Sequence, residues 1–207
     1  TNGLIADPLV VGALAPGLKH ADTFVRQAAL AALRFNLDPS ATDVLIKQKN
    51  NKKLLDDPAC AESYMYALGQ KRDKRALPIL KDGLVATGDT NGKVIPAKLF
   101  ALGRIRDKEA CEMLMDFLNS AVLKVEKYMV EVRLAMAVLT GMDQGPERKD
   151  WLHWWNDNKT KLKLLDEEAP LPDAAALRKW KSLWMSPEEI EAAKKARKDA
   201  EDEKPAR

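Results

Sequence analysis

Few side chains in this sequence combine the types and the spacing that catalysis requires. The chain contains two histidines, His20 and His153, and neither belongs to an HExxH motif that would bind zinc beside a general base. Two carboxylate pairs are adjacent in sequence: Asp56/Asp57 and Glu167/Glu168. Adjacent side chains do not project onto one face of a helix, so these pairs do not form a converging acid and base. The sequence therefore predicts no catalytic residue.

The cysteines and one glycine–lysine motif do not predict a cofactor or metal site. Cys60 and Cys111 occupy helical apolar patterns without CxxC spacing or neighbouring histidines, which is typical of buried thiols. The segment ATGDTNGKV (86–94) resembles a phosphate-binding loop, but Thr87 replaces its first glycine and Val94 replaces the residue that coordinates magnesium. We expect neither a cofactor nor a metal ion.

Composition and charge favour a soluble helical protein over a nucleic-acid binder. The 207 residues are 46% hydrophobic, enough for a substantial core, and 34 basic residues nearly cancel 31 acidic ones. No run of about 18 apolar residues is present, so no membrane span is expected, and no signal peptide is visible. Because the chain begins with Thr1, the compartment stays open: cytoplasmic, or exported after loss of an N-terminal signal.

The most informative feature is a segment that occurs twice. YALGQKRDKRALPILKDGL (66–84) and FALGRIRDKEACEMLMDFL (100–118) share ten identical residues in 19 positions at an offset of 34. A fixed period of this length is typical of stacked supersecondary units. We expect the glycine of each copy to end a helix in the left-handed conformation. Asp73 and Asp107 should then begin the next helices as N-caps.

The same spacing extends in both directions and predicts four helical hairpins. Upstream, an apolar i, i+3, i+4, i+7 stripe occupies 25–33, and a further copy ends at Gly141. The predicted second helices of the hairpins are 22–35, 58–70, 92–104 and 126–140. The predicted first helices are 7–19, 40–55, 74–86 and 107–120. A hairpin cannot bury both of its stripes alone, so the stacked hairpins would share one continuous core.

Two segments resemble a known repeat family. DTFVRQAALAAL (22–33) resembles the D-x-x-V-R-x-A-A-x-A-L second helix of HEAT repeats, and ALGQKRDKRALPILKDGL (67–84) resembles the short bacterial HEAT form related to phycobilisome lyases. The resemblance covers roughly 7–141 and implies an all-α, right-handed superhelix of the HEAT/armadillo type. Ala61 stands where an arginine would align with Arg26, so a regular Asp/Arg ladder is not expected. Tetratricopeptide repeats share the period, but their aromatic signature is missing.

Tryptophans dominate the sequence after the repeats. Trp151, Trp154 and Trp155 fall on one face of a predicted helix, and we expect them to close the open end of the solenoid. The segment is similar to the Trp-rich close of HEAT-repeat proteins from planctomycete-type bacteria. The open alternative is that the three indoles form a stacking platform for a sugar or a base.

The C-terminal sequence predicts a proline-containing strap, an extended segment, followed by a charged helix. Trp180 and Trp184 lie four residues apart, so a short amphipathic helix can dock back on the body. Ser186 and Glu189 form a capping box that begins a polar helix. Three regions are therefore predicted: a repeat solenoid (1–141), a Trp-rich capping helix (142–165) and the strap with its charged helix (166–207).

Two cations are the candidate partner-binding residues. Lys98 aligns with Ala29 and Tyr64 in the apolar stripes of the first two copies, so a charge stands where core is expected. Either its aliphatic stem passes the core and the ammonium group lies at the edge, or the side chain points into a groove with Arg104 nearby. Only the second arrangement would mark a binding surface.

These patterns together favour a scaffold over an enzyme. The expected function is non-catalytic binding of a protein or peptide partner by the curved surface that the second helices form. The alternative is a lyase- or chaperone-like protein that seats a small molecule or cofactor in the groove. An enzyme would place convergent ionisable groups in that groove, whereas a scaffold would have a broad face with few pockets.

Overall fold

The computed structural model describes residues 6–85, 92–120, 125–171 and 173–202, and every regular element within these ranges is a helix. The all-α class is therefore confirmed. Segment 86–91, which holds most of the phosphate-loop-like motif, lies outside the described residues. In chain order the α-helices are α1 (Pro8–Leu14), α2 (Thr23–Phe35), α3 (Pro39–Ile46), α4 (Lys52–Leu55), α5 (Pro58–Lys71), α6 (Leu77–Lys81), α7 (Val94–Arg104), α8 (Lys108–Leu118), α9 (Met129–Thr140), α10 (Arg148–Asn158), α11 (Ala174–Trp184) and α12 (Pro187–Asp202).

The predicted second helices are confirmed as α2, α5, α7 and α9. They pack in a row, α2 against α5, α5 against α7 and α7 against α9. The largest difference in boundary is at the start of α9, which begins at Met129 rather than at residue 126 because a 3-10 turn, Val125–Tyr128, precedes it. The period of the sequence is therefore the period of this row.

The predicted first helices are less regular than expected. α1 passes into a 3-10 turn at Ala15–Lys19, and the helix expected over 40–55 is divided into α3 and α4. The side-chain oxygen of Asn51 accepts the N–H of Lys53 at 3.1 Å, so it begins a new helix rather than continuing the old one. Of the four first helices, α8 alone is continuous over most of its predicted range.

The predicted aspartate caps are confirmed. Asp73 accepts the N–H of Arg75 at 2.8 Å, at the start of the 3-10 turn that leads into α6. Asp107 accepts the N–H of Glu109 at 2.9 Å at the start of α8. Each carboxylate satisfies a donor that the beginning of a helix leaves unpaired.

The glycines of the repeated segment do not end helices, which corrects the expectation from sequence. Gly69 lies inside α5 and Gly103 inside α7. The left-handed residue that caps the C-terminus of α5 is Arg72, with a φ of 54°. A Cβ atom on Gly69 would lie 2.7 Å from the Cα atom of Ala101, and one on Gly103 would lie 2.7 Å from that of Ala135. Glycine is required at both positions because neighbouring second helices approach each other there.

Two apolar clusters hold the helices together. The larger one joins the first helices to the second helices and contains the fully buried side chains of Tyr64, Phe117 and Trp151. Cys60 and Cys111 are buried free thiols, as expected. The smaller cluster lies where α11 meets the second helices and contains Phe100, Leu134, Ala137, Val138, Leu171, Trp180 and Trp184.

The two Trp-bearing helices after the repeats pack at different places. α10 contacts α8, one of the first helices, and Trp151 enters the larger cluster there. That α10 closes the end of the solenoid stays a prediction. α11 docks back on the body through Trp180 and Trp184, which confirms that prediction. Within the ranges that the structure describes, none of the helices has the length and apolar character that crossing a bilayer requires.

Candidate functional site

Helix α11 lies across the row of second helices, on the surface that the sequence predicted to bind a partner. We call the part of α2, α5, α7 and α9 that α11 contacts the covered face. The contacts are Lys179 with Glu131 (3.3 Å), Trp180 with Phe100 (ring centroids 6.1 Å apart), Trp184 with Tyr66 (5.8 Å) and the Leu183 carbonyl with Arg34. One short helix therefore contacts all four second helices, with its start on α9 and α7 and its end on α5 and α2.

The two indoles of α11 lie directly over the repeated glycines. A Cβ atom on Gly69 would come within 2.9 Å of Cη2 of Trp184, and one on Gly103 within 2.9 Å of Cη2 of Trp180. No side chain larger than hydrogen fits between helix and indole at either position. The repeated glycine thus forms a seat for an aromatic ring on α5 and again on α7.

Glu168, in the strap before α11, is the charged anchor of the covered face. Its Oε1 atom accepts from Arg72 at 2.8 Å and from Arg104, and its Oε2 atom accepts the indole N–H of Trp180 at 2.8 Å. The strap itself is tied to α9 through the N–H of Ala169, which donates to the Val138 carbonyl at 3.1 Å. The carboxylate therefore joins α5, α7 and α11 at one point.

Two arginines of the covered face are buried under α11, and burial lowers the pKa of both. Burial lowers the pKa of Arg34 to about 10 and that of Arg104 to about 10, and the carboxylate of Glu168 opposes the shift of Arg104. The guanidinium of Arg104 lies 4.8 Å from the ring centroid of Trp184, and the guanidinium of Arg34 lies 5.5 Å from the same centroid. Both cations are thus held by aromatic rings as well as by hydrogen bonds.

Several buried polar atoms at this junction have no hydrogen-bond partner among the described residues. They are Nε of Arg34, Oε1 of Gln70, Nε of Arg104 and Nε1 of Trp184. An unsatisfied buried polar group costs about 1–3 kcal/mol, and the cost is higher for charged groups. The seats fit the indoles closely, but the polar fit of α11 to the covered face is incomplete.

Two clefts adjoin the ends of this junction. One, of about 470 Å³, lies between Gln70, Arg104 and Trp184, and the other, of about 460 Å³, lies between the ends of α2 and α5 and the start of α12. In the second cleft burial lowers the pKa of Lys71 to about 8, and its ammonium group donates to the Asn36 carbonyl at 2.5 Å. Both acidic and basic side chains line each cleft, so neither presents a single charge.

The structure places the two candidate partner-binding residues apart. Arg104 lies on the covered face and binds Glu168. Lys98 is 8% exposed, and its ammonium group donates to the backbone carbonyl of Asp82, just after α6. Burial of the stem with the head group on a carbonyl resembles the first of the two arrangements expected for Lys98. Their role in binding a partner stays a prediction.

The histidines take no part in the covered face. His20 accepts the N–H of Asp22 through Nδ1 at 3.0 Å in the turn before α2, and His153 is exposed on α10. In the part of the chain that the structure describes, no group of three or more His, Cys, Asp or Glu is placed to hold a metal ion.

Sequence reasoning named Arg104 as a candidate but missed Glu168 and Arg72, with which Arg104 anchors α11. Glu168 and Arg104 are separated by 64 residues, and no local pattern connects them. The one available signal was the spacing of Trp180 and Trp184, which predicted a docked helix but not its seats. The sequence also showed the repeated glycines, but it predicted that they end helices, whereas they allow neighbouring helices to pack closely.

Comparison of the chain with models of known protein families gives no match, and comparison with curated proteins gives none either. The resemblance to HEAT repeats therefore stays an interpretation of the sequence. Because a fold alone does not define a function, the functional argument rests on the covered face.

Proposed function

We propose that this chain is a HEAT-type helical-repeat protein, a right-handed superhelix of four hairpins that binds a protein partner without catalysis. The row of second helices at a period of 34 residues supports this architecture. So does one contact between units, in which Asp57 accepts from Arg26 at 2.6 Å and from the Thr23 hydroxyl at 2.7 Å. A row of this kind offers an extended surface for a partner.

The single observation that carries the functional proposal is that the covered face already holds a polypeptide helix. It does so with two aromatic seats and a carboxylate anchored by Arg72 and Arg104. Buried aromatic anchors and arginine–carboxylate pairs are the features that dominate protein–protein recognition. The face therefore has the chemistry that a protein-binding surface needs.

A matched pair of charge reversals tests this function. The side chain of Arg72 is 47% exposed and contacts Glu168 on the covered face, and that of Lys108 is 48% exposed on α8. Wild type, Arg72→Glu and Lys108→Glu would each be immobilised and used to capture proteins from the native organism for mass spectrometry. We expect Lys108→Glu to recover the partner of the wild type and Arg72→Glu to lose it. Equal recovery by all three would contradict a partner on this face.

A second candidate function is supported by the cleft beside Gln70, Arg104 and Trp184, whose unpaired polar atoms could bind a small molecule. This corresponds to the lyase- or chaperone-like alternative from the sequence. Native mass spectrometry of protein purified from its own cells tests it. A reproducible bound mass that disappears in Gln70→Leu would favour the small molecule over the protein partner.

A further inference from the structure

The covered face holds α11 through features that a segment of another chain could share. The seats on α5 and α7 receive two indoles four residues apart, and a carboxylate N-terminal to the helix binds Arg72 and Arg104. In each of these contacts the bound segment contributes only side chains. None of them requires the bound helix to belong to the same chain.

The spacing of the seats is what makes the face selective. Residues four apart on an α-helix lie on one side of it, about 6 Å apart along the axis. The axes of packed helices are about 8–10 Å apart, so only long side chains can splay enough to reach seats on two neighbouring helices. The rings of Trp180 and Trp184 do so, with centroids 5.6 Å apart and their tips over the two glycines.

Around the Glu168 anchor, three arginines lie close to one carboxylate. Arg72 and Arg104 share the carboxylate of Glu168, while the neighbouring Arg106 donates to the Val138 carbonyl at 2.8 Å. One nitrogen of Arg106 is buried without a partner among the described residues. A segment with more than one acidic residue at this position would match the three arginines better than the strap does.

The polar fit of the cover to the face is also incomplete. Nε of Arg104 and Nε1 of Trp184 are buried without a partner within the described part of the chain. α11 is connected to the repeats by a segment that contains Pro170 and Pro172 and that lies outside the hairpin pattern. A competitor that hydrogen-bonds Nε of Arg104 would gain a contact that α11 does not make.

We infer that the covered face is a docking site for a helical segment of a partner protein. The segment carries two large aromatic residues four positions apart and at least one carboxylate on the N-terminal side of the helix. α11 and Glu168 occupy the site until such a segment displaces them. The inference rests on the proposed protein-binding function and adds the chemistry of the partner.

The test uses the full-length chain and a synthetic probe of known chemistry. The probe is a fluorescent peptide of residues 166–185, and the control peptide has alanine in place of both tryptophans. The host is the full chain with Trp180→Ala and Trp184→Ala, whose own cover is weakened. By fluorescence anisotropy we expect this host to bind the probe at least tenfold more tightly than the wild type does. Equal affinity for probe and control peptide in a folded host would overturn the inference.

The matched charge reversals give the second arm of the same test. Added to the host, Arg72→Glu should weaken binding of the probe at least fivefold because it removes a cation from the anchor. Lys108→Glu should leave the affinity unchanged. A loss of affinity that is equal for both substitutions would show that the probe binds by general charge attraction, and this outcome also overturns the inference.

Hydrogen exchange of the wild type keeps the inference testable if the host fails to fold. A displaceable cover must open without global unfolding, so the amides of α11 should exchange at least a hundredfold faster than those of α7. Exchange of α11 as slow as that of α7 would overturn it. Sedimentation of the wild type provides the last check, and we expect a monomer. A dimer formed by exchange of α11 between two copies would overturn the inference, because the occupant of the face would then be a second copy of this chain.

Failure of the inference differs from failure of the proposed function. If the probe does not bind but capture still depends on Arg72, the face binds protein of a different chemistry. If the probe binds and capture recovers no partner, the site exists and the protein-binding function lacks its support.

Discussion

Two helices after the repeats each contribute tryptophans to the body, but they do so in opposite ways. α10, which we call the cap, packs against α8, and the indole N–H of Trp151 donates to the Gly145 carbonyl at 2.8 Å. That loop is in turn held by Asp143, which accepts from Arg133 at 2.7 Å and 2.6 Å and from the N–H of Gly145 at 2.9 Å. The indole N–H of Trp151 and the carboxylate that holds its loop are thus paired, although Nε of Arg148 at the start of α10 is buried without a partner among the described residues.

α11 buries indoles of the same kind over a face where the polar groups are incompletely paired. Trp184 is 6% exposed, yet its indole N–H has no partner among the described residues. Apolar burial therefore does not distinguish a permanent cap from a displaceable cover. The two indole N–H groups do differ: that of Trp151 is hydrogen-bonded and that of Trp184 is not, and an unpaired group subtracts from the free energy that burial contributes.

The largest expected difference is between the alanine variants of the two tryptophans. Truncation of a buried tryptophan costs about 3–5 kcal/mol, and Trp151→Ala should lower the free energy of unfolding by about 4 kcal/mol. Trp184→Ala should cost only about 2 kcal/mol, because it also removes an unpaired indole N–H worth about 1–3 kcal/mol. Urea unfolding monitored by circular dichroism measures both. Equal losses would break the distinction between cap and cover.

A smaller effect is expected at the glycine seats. Gly69→Ala places a methyl group 2.7 Å from the Ala101 Cα atom and 2.9 Å from the Trp184 ring. We expect it to lower the free energy of unfolding by about 2 kcal/mol through overpacking and to release α11. Thermal unfolding and tryptophan fluorescence would report the two effects.

Gly12→Ala is the matched control for the seat. A Cβ atom at Gly12, within α1, has nothing within 4 Å among the described atoms. The substitution should stabilise the chain by about 0.5–1 kcal/mol, because alanine loses less conformational freedom in a helix. A destabilising Gly12→Ala would mean that helix packing, rather than the seat, explains the result at Gly69.

The smallest expected effect is the pH dependence of the cap. Hydrogen bonds from the Arg133 side chain hold the pKa of Asp143 below its usual range. A carboxyl whose folded pKa is depressed contributes stability above its unfolded pKa of about 4, and the contribution is lost as the pH falls through the folded value. Unfolding free energies of wild type and Asp143→Asn should therefore converge below about pH 4. A constant difference between pH 6 and pH 3 would contradict this role.

The sequence by itself determined the repeating part of this protein. The 34-residue period and the aspartate caps are local in origin, because a cap bonds to the N–H two residues on and an apolar stripe follows the turn of its own helix. That is why the second helices and the caps at Asp73 and Asp107 could be predicted. The interruptions in the first helices could not be predicted. The apolar pattern continues through them, and a local hydrogen bond such as that of Asn51 to the N–H of Lys53 begins a new helix there.

Only the tertiary structure decided what the repeated glycines and the C-terminal tryptophans do. Gly69 looks like a helix end in sequence, and its real role depends on Ala101 and Trp184, which lie one unit and more than a hundred residues further along the chain. Glu168 likewise acquires its role from Arg104, at a separation of 64 residues. Such contacts carry no periodic signal, since they arise where the end of the chain folds back over the row.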